Sequence, residues 1–262
     1  MPKDRGLKEA QDYFDLIPLI ENQLKKKKKI KILDAGCGYG IAMMDIVKKF
    51  GDRVEVHGFL DNSRWGNPNI MKKESIKRGI FTKSEIKKIK LPKYHYCDAS
   101  VKLPFKSNTF DVIYSMAMVY LVDDKVNFFE EANRILSPNG IARISSPFGR
   151  ETRGRRNYLK NKGMPNHYLE FYEIWDKGKE IEFHKYINKF KGIRVVVRGS
   201  GLKERNYVEI KKQPKIDLKL RFITSIDYNF IWKDWGGVKS IYTTQFKFNP
   251  RYKKSDKSYY RK

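Results

Sequence analysis

The chain has 262 residues, 40 % hydrophobic and 33 % charged, and its 56 Lys and Arg against 30 Asp and Glu leave a net charge of +26. That is enough apolar material for one α/β unit or one with a large cap. No apolar run approaches the ~18 residues of a membrane helix, and acids interrupt the apolar part of the first twenty residues, which argues against a secretory leader. Cys37 and Cys97 are too few for a disulfide framework or a structural zinc site, so a reducing, cytoplasmic setting and no metal are expected.

From Gly6 to Leu24, Leu7, Ala10, Tyr13, Phe14, Ile17, Ile20 and Leu24 fall at helical spacing, with Pro18 set to kink or split the helix. The run Lys25 to Lys29 reads as a solvated stretch before a short strand ending at Asp34. The glycine-rich segment Ala35-Gly-Cys-Gly-Tyr-Gly40 and a helix from Ile41 to Phe50 follow. Val54 to Leu60 reads as a second strand, Tyr94 to Cys97 as a third, Phe110 to Tyr114 as a fourth, Asp123 to Leu136 as a helix and Gly140 to Ser145 as a fifth strand. Ser137-Pro-Asn-Gly140 reads as the turn between the last two. This alternation predicts a doubly wound, mostly parallel Rossmann-like α/β sheet with helices on both faces and ligands beyond the strands' carboxyl ends. Beyond residue 146 the pattern changes: residues 150–163 read as a basic loop, 169–175 and 180–190 as helices, and 193–197, 219–225 and 238–248 as strands. The expected organisation is an N-terminal helix and basic linker (1–29), a ligand-binding core (30–146) and a segment that completes the sheet and carries a basic, aromatic-rich insertion and tail (147–262).

Charge is uneven. Residues 1–146 hold 27 basic and 18 acidic residues, and residues 147–262 hold 29 and 12, with 21 of the 36 aromatics. Such a balance favours an anionic partner. A lysine-led excess is also what AT-rich coding produces, although that bias raises Glu alongside Lys and here the acids stay low.

Gly36, Gly38 and Gly40, at a strand-to-helix turn, permit backbone angles and close approach that a Cβ would forbid, and the following helix offers N–H groups to an anion. Ile41 stands where a dinucleotide fingerprint wants Gly or Ala, so a nicotinamide site is disfavoured. Asp61 closes the second strand, where a carboxylate can accept both ribose hydroxyls. Asp98 closes the third, where it can meet an adenine amino group. Together these describe a ligand that bears adenosine and a carboxylate.

The segments Ile32 to Gly40, Asp61, Cys97-Asp98-Ala99, Leu103 to Ser115 and Glu130 to Gly140, in this order, resemble the class I S-adenosylmethionine-dependent methyltransferases, in particular their type 11 group. The resemblance covers residues 30–146 and implies a seven-stranded fold and an S-adenosylmethionine pocket. Asp34 and Gly36 would line its methionine end, Asp61 the ribose, Asp98 and Ala99 the adenine, and Ser115 with Met116 the sulfonium side. One departure is the breaker-rich run Asn62 to Asn69, which delays the next helix. Asn166 to Phe171 resembles the segment that lids the acceptor pocket in type 11 enzymes, making His167 a candidate general base. The Asn/Asp-Pro-Pro-aromatic signature of enzymes that methylate amine or base nitrogens in nucleic acids is absent after the fourth strand, and neither cysteine stands where cytosine-C5 chemistry needs one. Three functions follow: a methyltransferase acting on a small or medium, anionic acceptor such as a sugar, nucleotide-sugar, lipid precursor or other metabolite; an RNA methyltransferase; and a catalytically silent binding module.

Overall fold

Pro18 decides how the chain begins. Its nitrogen cannot donate, so it is tolerated only in a helix's first turn. The amphipathic stretch breaks at Asp15 (φ 48°) into α1 (Leu7–Phe14) and α2 (Leu16–Leu24), with Pro18 as the third residue of α2. The break falls three residues ahead of the proline. The computed structural model describes residues 5–61, 63–99, 101–116, 118, 119, 122, 125–145, 171–176, 179–181, 190–198, 205–216, 221–225, 231–233 and 239–241.

Strand and helix then alternate as the sequence predicts: β1 (Ile30–Ala35), α3 (Ile41–Phe50), β2 (Val54–Leu60), α4 (Pro68–Lys77), β3 (Lys93–Tyr96), β4 (Phe110–Ser115), α5 (Lys125–Ile135) and β5 (Leu136–Ser145). The late start of α4 has a local cause. Asn67 caps it, its side chain accepting from the backbone N–H of Asn69 and Ile70 at 3.0 Å each, and Pro68 follows at the first helical position.

Three expectations need correction. Ser137 to Gly140 is not a turn but an irregular start to β5. The pairing jumps from Phe110↔Leu136 to Val112↔Ile141 and Asn139 takes φ 64°. A Cβ at Gly140 would come within 2.9 Å of two backbone carbonyl oxygens, so the bend there needs glycine. The segment read as a helix over 169–175 is instead β6 (Phe171–Asp176), and the next begins as β7 (Lys179–Ile181), its residues 182–189 lying outside the described set. Aromatic and β-branched residues dominate Phe-Tyr-Glu-Ile-Trp, which favours a pleated surface once a partner strand is at hand. β10 (Arg221–Ser225) is that partner, antiparallel to β6. β8 (Ile193–Arg198) stands where a strand was expected, β12 (Lys239–Ile241) lies within one, and β9 (Arg205–Lys211) and β11 (Ile231–Lys233) were not anticipated.

The main sheet has seven strands in the order β3-β2-β1-β4-β5-β9-β8, and β9 runs opposite to the other six, antiparallel to both β5 and β8. Its two faces bury separate apolar clusters. One packs β-strand residues against α1 to α4 through Phe14, Ile20, Met43 and Ile46, and the other packs them against α5 through Phe128, Phe129 and Ile135. At the antiparallel end, Glu209 is 1 % exposed, and Arg143 and Arg194 each donate to its carboxylate at 2.9 Å. Arg143 also donates to the Phe14 carbonyl, tying α1 to the sheet. A buried acid held by two guanidiniums has its charge met on both oxygens, as burial demands.

Candidate functional site

The strand order sets the carboxyl ends of β3, β2 and β1 side by side, with registers Ala35↔Phe59 and Leu60↔Tyr96. The backbone turns sharply after β1. Gly36 and Cys37 N–H groups both donate to the Phe59 carbonyl, at 3.0 and 3.2 Å, and Gly40 N–H donates to the Cys37 carbonyl at 2.8 Å. Gly36, Gly38 and Gly40 take φ of 84°, 52° and 79°, the left-handed region that favours glycine. The turn delivers the chain to α3, whose first N–H groups have no acceptor within the helix and whose positive end suits an anion.

Asp61 follows β2 directly and Asp98 stands two residues past β3, both with exposed side chains, while Ala99 is buried. Adjacent strands lie about 4.8 Å apart, so the turn, Asp61 and Asp98 span two spacings, roughly 10 Å, the length of a nucleoside. Asp34 is placed differently. It is 5 % exposed and accepts a 2.7 Å hydrogen bond from the fully buried Tyr114 hydroxyl, so it braces β1 against β4 beneath the turn. Ser115 ends β4 one step past that pair, its hydroxyl buried and without a hydrogen-bond partner among the described residues. Met116 packs into the core beside α1 to α4. Met118 lies against the turn itself, since a Cβ on Gly36 would meet its Cβ and Cγ at 2.6 Å.

The loop after Asp61 closes onto the glycine turn. A Cβ at Gly66 would stand 1.9 Å from the Gly38 carbonyl oxygen. Two tyrosines of β3 hold the closure: Tyr94 donates to the Gly38 carbonyl and Tyr96 to the Gly66 carbonyl, each at 3.2 Å, with their rings stacked 6.3 Å apart. Gly40 also leaves the room that Tyr94 needs, since a Cβ there would be 2.6 Å from its hydroxyl oxygen. Sequence reasoning missed Met118, Gly66, Tyr94, Tyr96 and Tyr114. The alternation Tyr94-His-Tyr96 was the available signal, because residues two apart on a strand share a face.

The other face of β3 overturns an expectation. His57 and His95 alternate in sequence with apolar strand positions, a pattern that would point both outward, but His57 is 8 % exposed and the two rings stack, with Nδ1 of His57 3.0 Å from Nε2 of His95. Glu55 lies 3.0 Å from Nε2 of His57 and accepts from Lys93 at 2.7 Å. The Lys93 hydrogen bond foremost holds the Glu55 carboxyl down to about 2, while burial lowers both histidines from their ordinary value. Burial pushes the Cys97 thiol up to about 11 and Cys37 is buried, in keeping with two packed, unreactive thiols. No cluster of metal-ligating side chains occurs among the described residues.

Several motif residues serve as braces. Glu131 accepts from the Leu103 N–H at 2.8 Å and pairs with Arg134, which donates to the Phe105 and Leu103 carbonyls, locking the loop before β4 onto α5. Asp111 accepts from Lys27, the Lys31 N–H and the Ser137 hydroxyl at the opposite end of the sheet.

Residues 33–144 match the family described as a methyltransferase domain, of the type 11 group. Over these residues the chain carries a methyltransferase domain. The domain lies within a chain that is 30 % identical over 115 residues to a sterol 24-C-methyltransferase of Gibberella zeae, covering 44 % of this chain and 27 % of that protein. A glycine/sarcosine/dimethylglycine N-methyltransferase of Actinopolyspora halophila is 24 % identical over 147 residues, covering 53 % and 24 %. The chain thus spans about a quarter of the length of the curated relatives it matches. A solved S-adenosylmethionine-dependent methyltransferase from Aquifex aeolicus is similar at 18 % identity and a TM-score of 0.43, with 78 % of this chain and 94 % of that one covered. Within the methyltransferase domain, Asp34, Gly36, Gly38, Gly40, Asp61, Asp98, Ala99, Ser115 and Met116 all fall at the carboxyl ends of β1 to β4, while His167 lies outside the described residues.

Proposed function

We propose that the protein is an S-adenosylmethionine-dependent methyltransferase whose acceptor is a small, anionic molecule. The observation that carries this reading is the set of three adjacent strand ends bearing the left-handed glycine turn, Asp61 and Asp98. The residues present fit the cofactor: two exposed acids for its ribose and adenine groups, a helix N-terminus for its carboxylate, and at Ser115 a buried hydroxyl that still lacks a partner among the described residues. Supplying that hydroxyl with a polar partner relieves a cost of about 1–3 kcal/mol.

When bound, S-adenosylmethionine supplies a methyl group on a sulfonium, transferred in line to a nucleophilic electron pair on the acceptor. Asp61 accepts from the ribose hydroxyls and Asp98 from the adenine amino group. The first turn of α3 offers its N–H groups to the methionine carboxylate, and the glycine turn lets the backbone approach without a side chain between. Asp34 and Tyr114 hold the turn's floor rigid. The contribution of such a site is alignment and exclusion of water, worth roughly 7–11 kcal/mol of barrier when geometry is good. Beyond residue 146, β8 and β9 complete the sheet, and His167, outside the described residues, is a candidate base for the acceptor.

Small acceptors appear in the names of both curated relatives, a sterol methyltransferase and a glycine/sarcosine/dimethylglycine N-methyltransferase, which supports a small-molecule acceptor here. The test is transfer of a radiolabelled methyl group from S-adenosylmethionine into fractionated metabolite, lipid, glycan and RNA pools. Label in a metabolite or lipid fraction, lost in an Asp61→Ala variant, supports the reading. Label confined to RNA overturns the acceptor class, and failure to bind S-adenosylhomocysteine by calorimetry overturns the activity.

A further inference from the structure

The two ends of the main sheet differ sharply in charge. At the carboxyl ends of the strands the exposed acids Asp61 and Asp98 stand beside exposed Arg64 and Lys102, so the signs are mixed there. At the opposite edge, exposed cations lead into or begin four strands, Lys29 before β1, Arg53 before β2, Lys93 at β3 and Lys106 before β4. The antiparallel β9 ends there on exposed Lys211, and Lys191 precedes β8. Six of the seven strands thus present a cation on one line. The segments at this edge, 25–29, 51–53, 88–93, 104–109, 190–192 and 211–215, hold fourteen Lys and Arg and one acid, Asp52. Over the whole chain the proportion is 56 to 30, so a uniform lysine bias does not account for this edge. On the helix layer some lysines are paired with acids, as in Lys48–Glu85 and Lys77–Glu74, and others, such as Lys72 and Lys73, add further positive charge away from the edge. At the edge, Lys27 is engaged by Asp111, Lys212 by two backbone carbonyls and Lys93 by Glu55, and the line of charge continues on either side of them.

We propose that this edge binds the sugar–phosphate backbone of a double-stranded nucleic acid. Six strand spacings of about 4.8 Å give a ridge roughly 29 Å long, about the axial length of eight base pairs at a 3.4 Å rise. The ridge is a line of cations, suited to a phosphate ribbon more than to a lipid plane. The large hydrophobics exposed among the described residues, Trp65, Tyr96 and Val101, all follow or end strands at the other end of the sheet, so the ridge has no apolar anchor for a bilayer and no aromatic plate for unstacked bases. A strand of six residues separates the ridge from the glycine turn by about 20 Å, so a duplex held here is a tether and not the methyl acceptor. The inference therefore does not depend on the methyltransferase reading.

The test uses the full chain and fluorescence anisotropy of a labelled 20-base-pair RNA duplex, the same sequence as DNA duplex and as single strand, with anionic phosphatidylserine vesicles in a parallel sedimentation assay. Duplex affinity should fall about a thousandfold between 50 and 200 mM salt, the slope expected for some six phosphate contacts. A variant carrying Lys29→Glu, Lys106→Glu, Lys191→Glu and Lys211→Glu should lose binding at least a hundredfold while keeping its thermal midpoint and its S-adenosylhomocysteine affinity. A variant carrying Lys72→Glu, Lys73→Glu, Lys77→Glu and Lys83→Glu on the helix layer should lose less than tenfold. Should the edge variant unfold, Lys→Ala at the same four positions is read instead. No duplex binding at 50 mM salt, equal losses in the two variants, preference for single strands or tighter binding to vesicles would each overturn the proposal.

Discussion

Gly66→Ala isolates the closure of the loop onto the glycine turn, because Gly66 does not take a left-handed φ and its replacement tests space alone. The added methyl carbon would sit 1.9 Å from the Gly38 carbonyl oxygen, 2.9 Å from the Gly38 carbonyl carbon and 3.0 Å from Leu60 Cδ1. The first contact is with backbone, which cannot rotate aside as a side chain can. Reaching even 3.0 Å requires the loop or the turn to move by about 1.1 Å, which would strain the Tyr96 hydrogen bond to the Gly66 carbonyl. Overpacking of this kind costs about 1–3 kcal/mol, a fall in thermal midpoint of roughly 2–12 °C for a chain of this size. A 1 Å misplacement near the reacting groups can cost about a hundredfold in rate, so kcat/KM should drop by that order. The assays are calorimetric titration with S-adenosylhomocysteine, thermal unfolding and steady-state kinetics once an acceptor is in hand. Unchanged affinity together with an unchanged midpoint would mean that the loop does not rest on the turn, and the account of the pocket wall would fall.

Other outcomes follow from neighbouring contacts. Tyr114→Phe removes the donor to buried Asp34 and should cost about 1.5–3 kcal/mol in chemical denaturation, the range for a hydrogen bond to a charged group; a loss under 0.5 kcal/mol would show that Asp34 is satisfied without it. Burial lowers the folded-state values of His57 and His95, so the unfolded chain takes up protons first as pH falls below the ordinary histidine value of 6.5. Stability should be flat above pH 7 and decline as pH drops through 6.5 towards the lowered folded values, and the His57→Gln, His95→Gln double variant should flatten that decline when denaturant midpoints are compared. With the Cys97 thiol raised from 9.0 to about 11, its thiolate fraction at pH 8 is about a hundredfold smaller than that of an unperturbed thiol. Iodoacetamide labelling of the native protein should be slower than that of the unfolded chain by at least this factor, and fast native labelling would contradict the packed placement.

Local chemistry made much of the methyltransferase domain legible. Glycines at 36, 38 and 40 announce a turn that side chains would obstruct, alternating apolar runs mark β1, β2 and β4, and acids at strand ends mark where polar ligand groups can be met. These features depend on residues close in sequence, so periodicity and turn propensity reach them. The loop over the turn was not legible, because Gly66 meets Gly38 only after β2 and the turn after β1 have been laid side by side. The same is true of Asp34, whose partner Tyr114 lies eighty positions away, and of His57 and His95, whose rings meet only because β2 and β3 pair side by side. β6 was read as helical because its aromatic spacing suits either period, and pairing with β10 decided the matter. The charged ridge is the fullest case: its lysines are scattered from position 25 to 215, and only the order in which the strands assemble puts them on one edge.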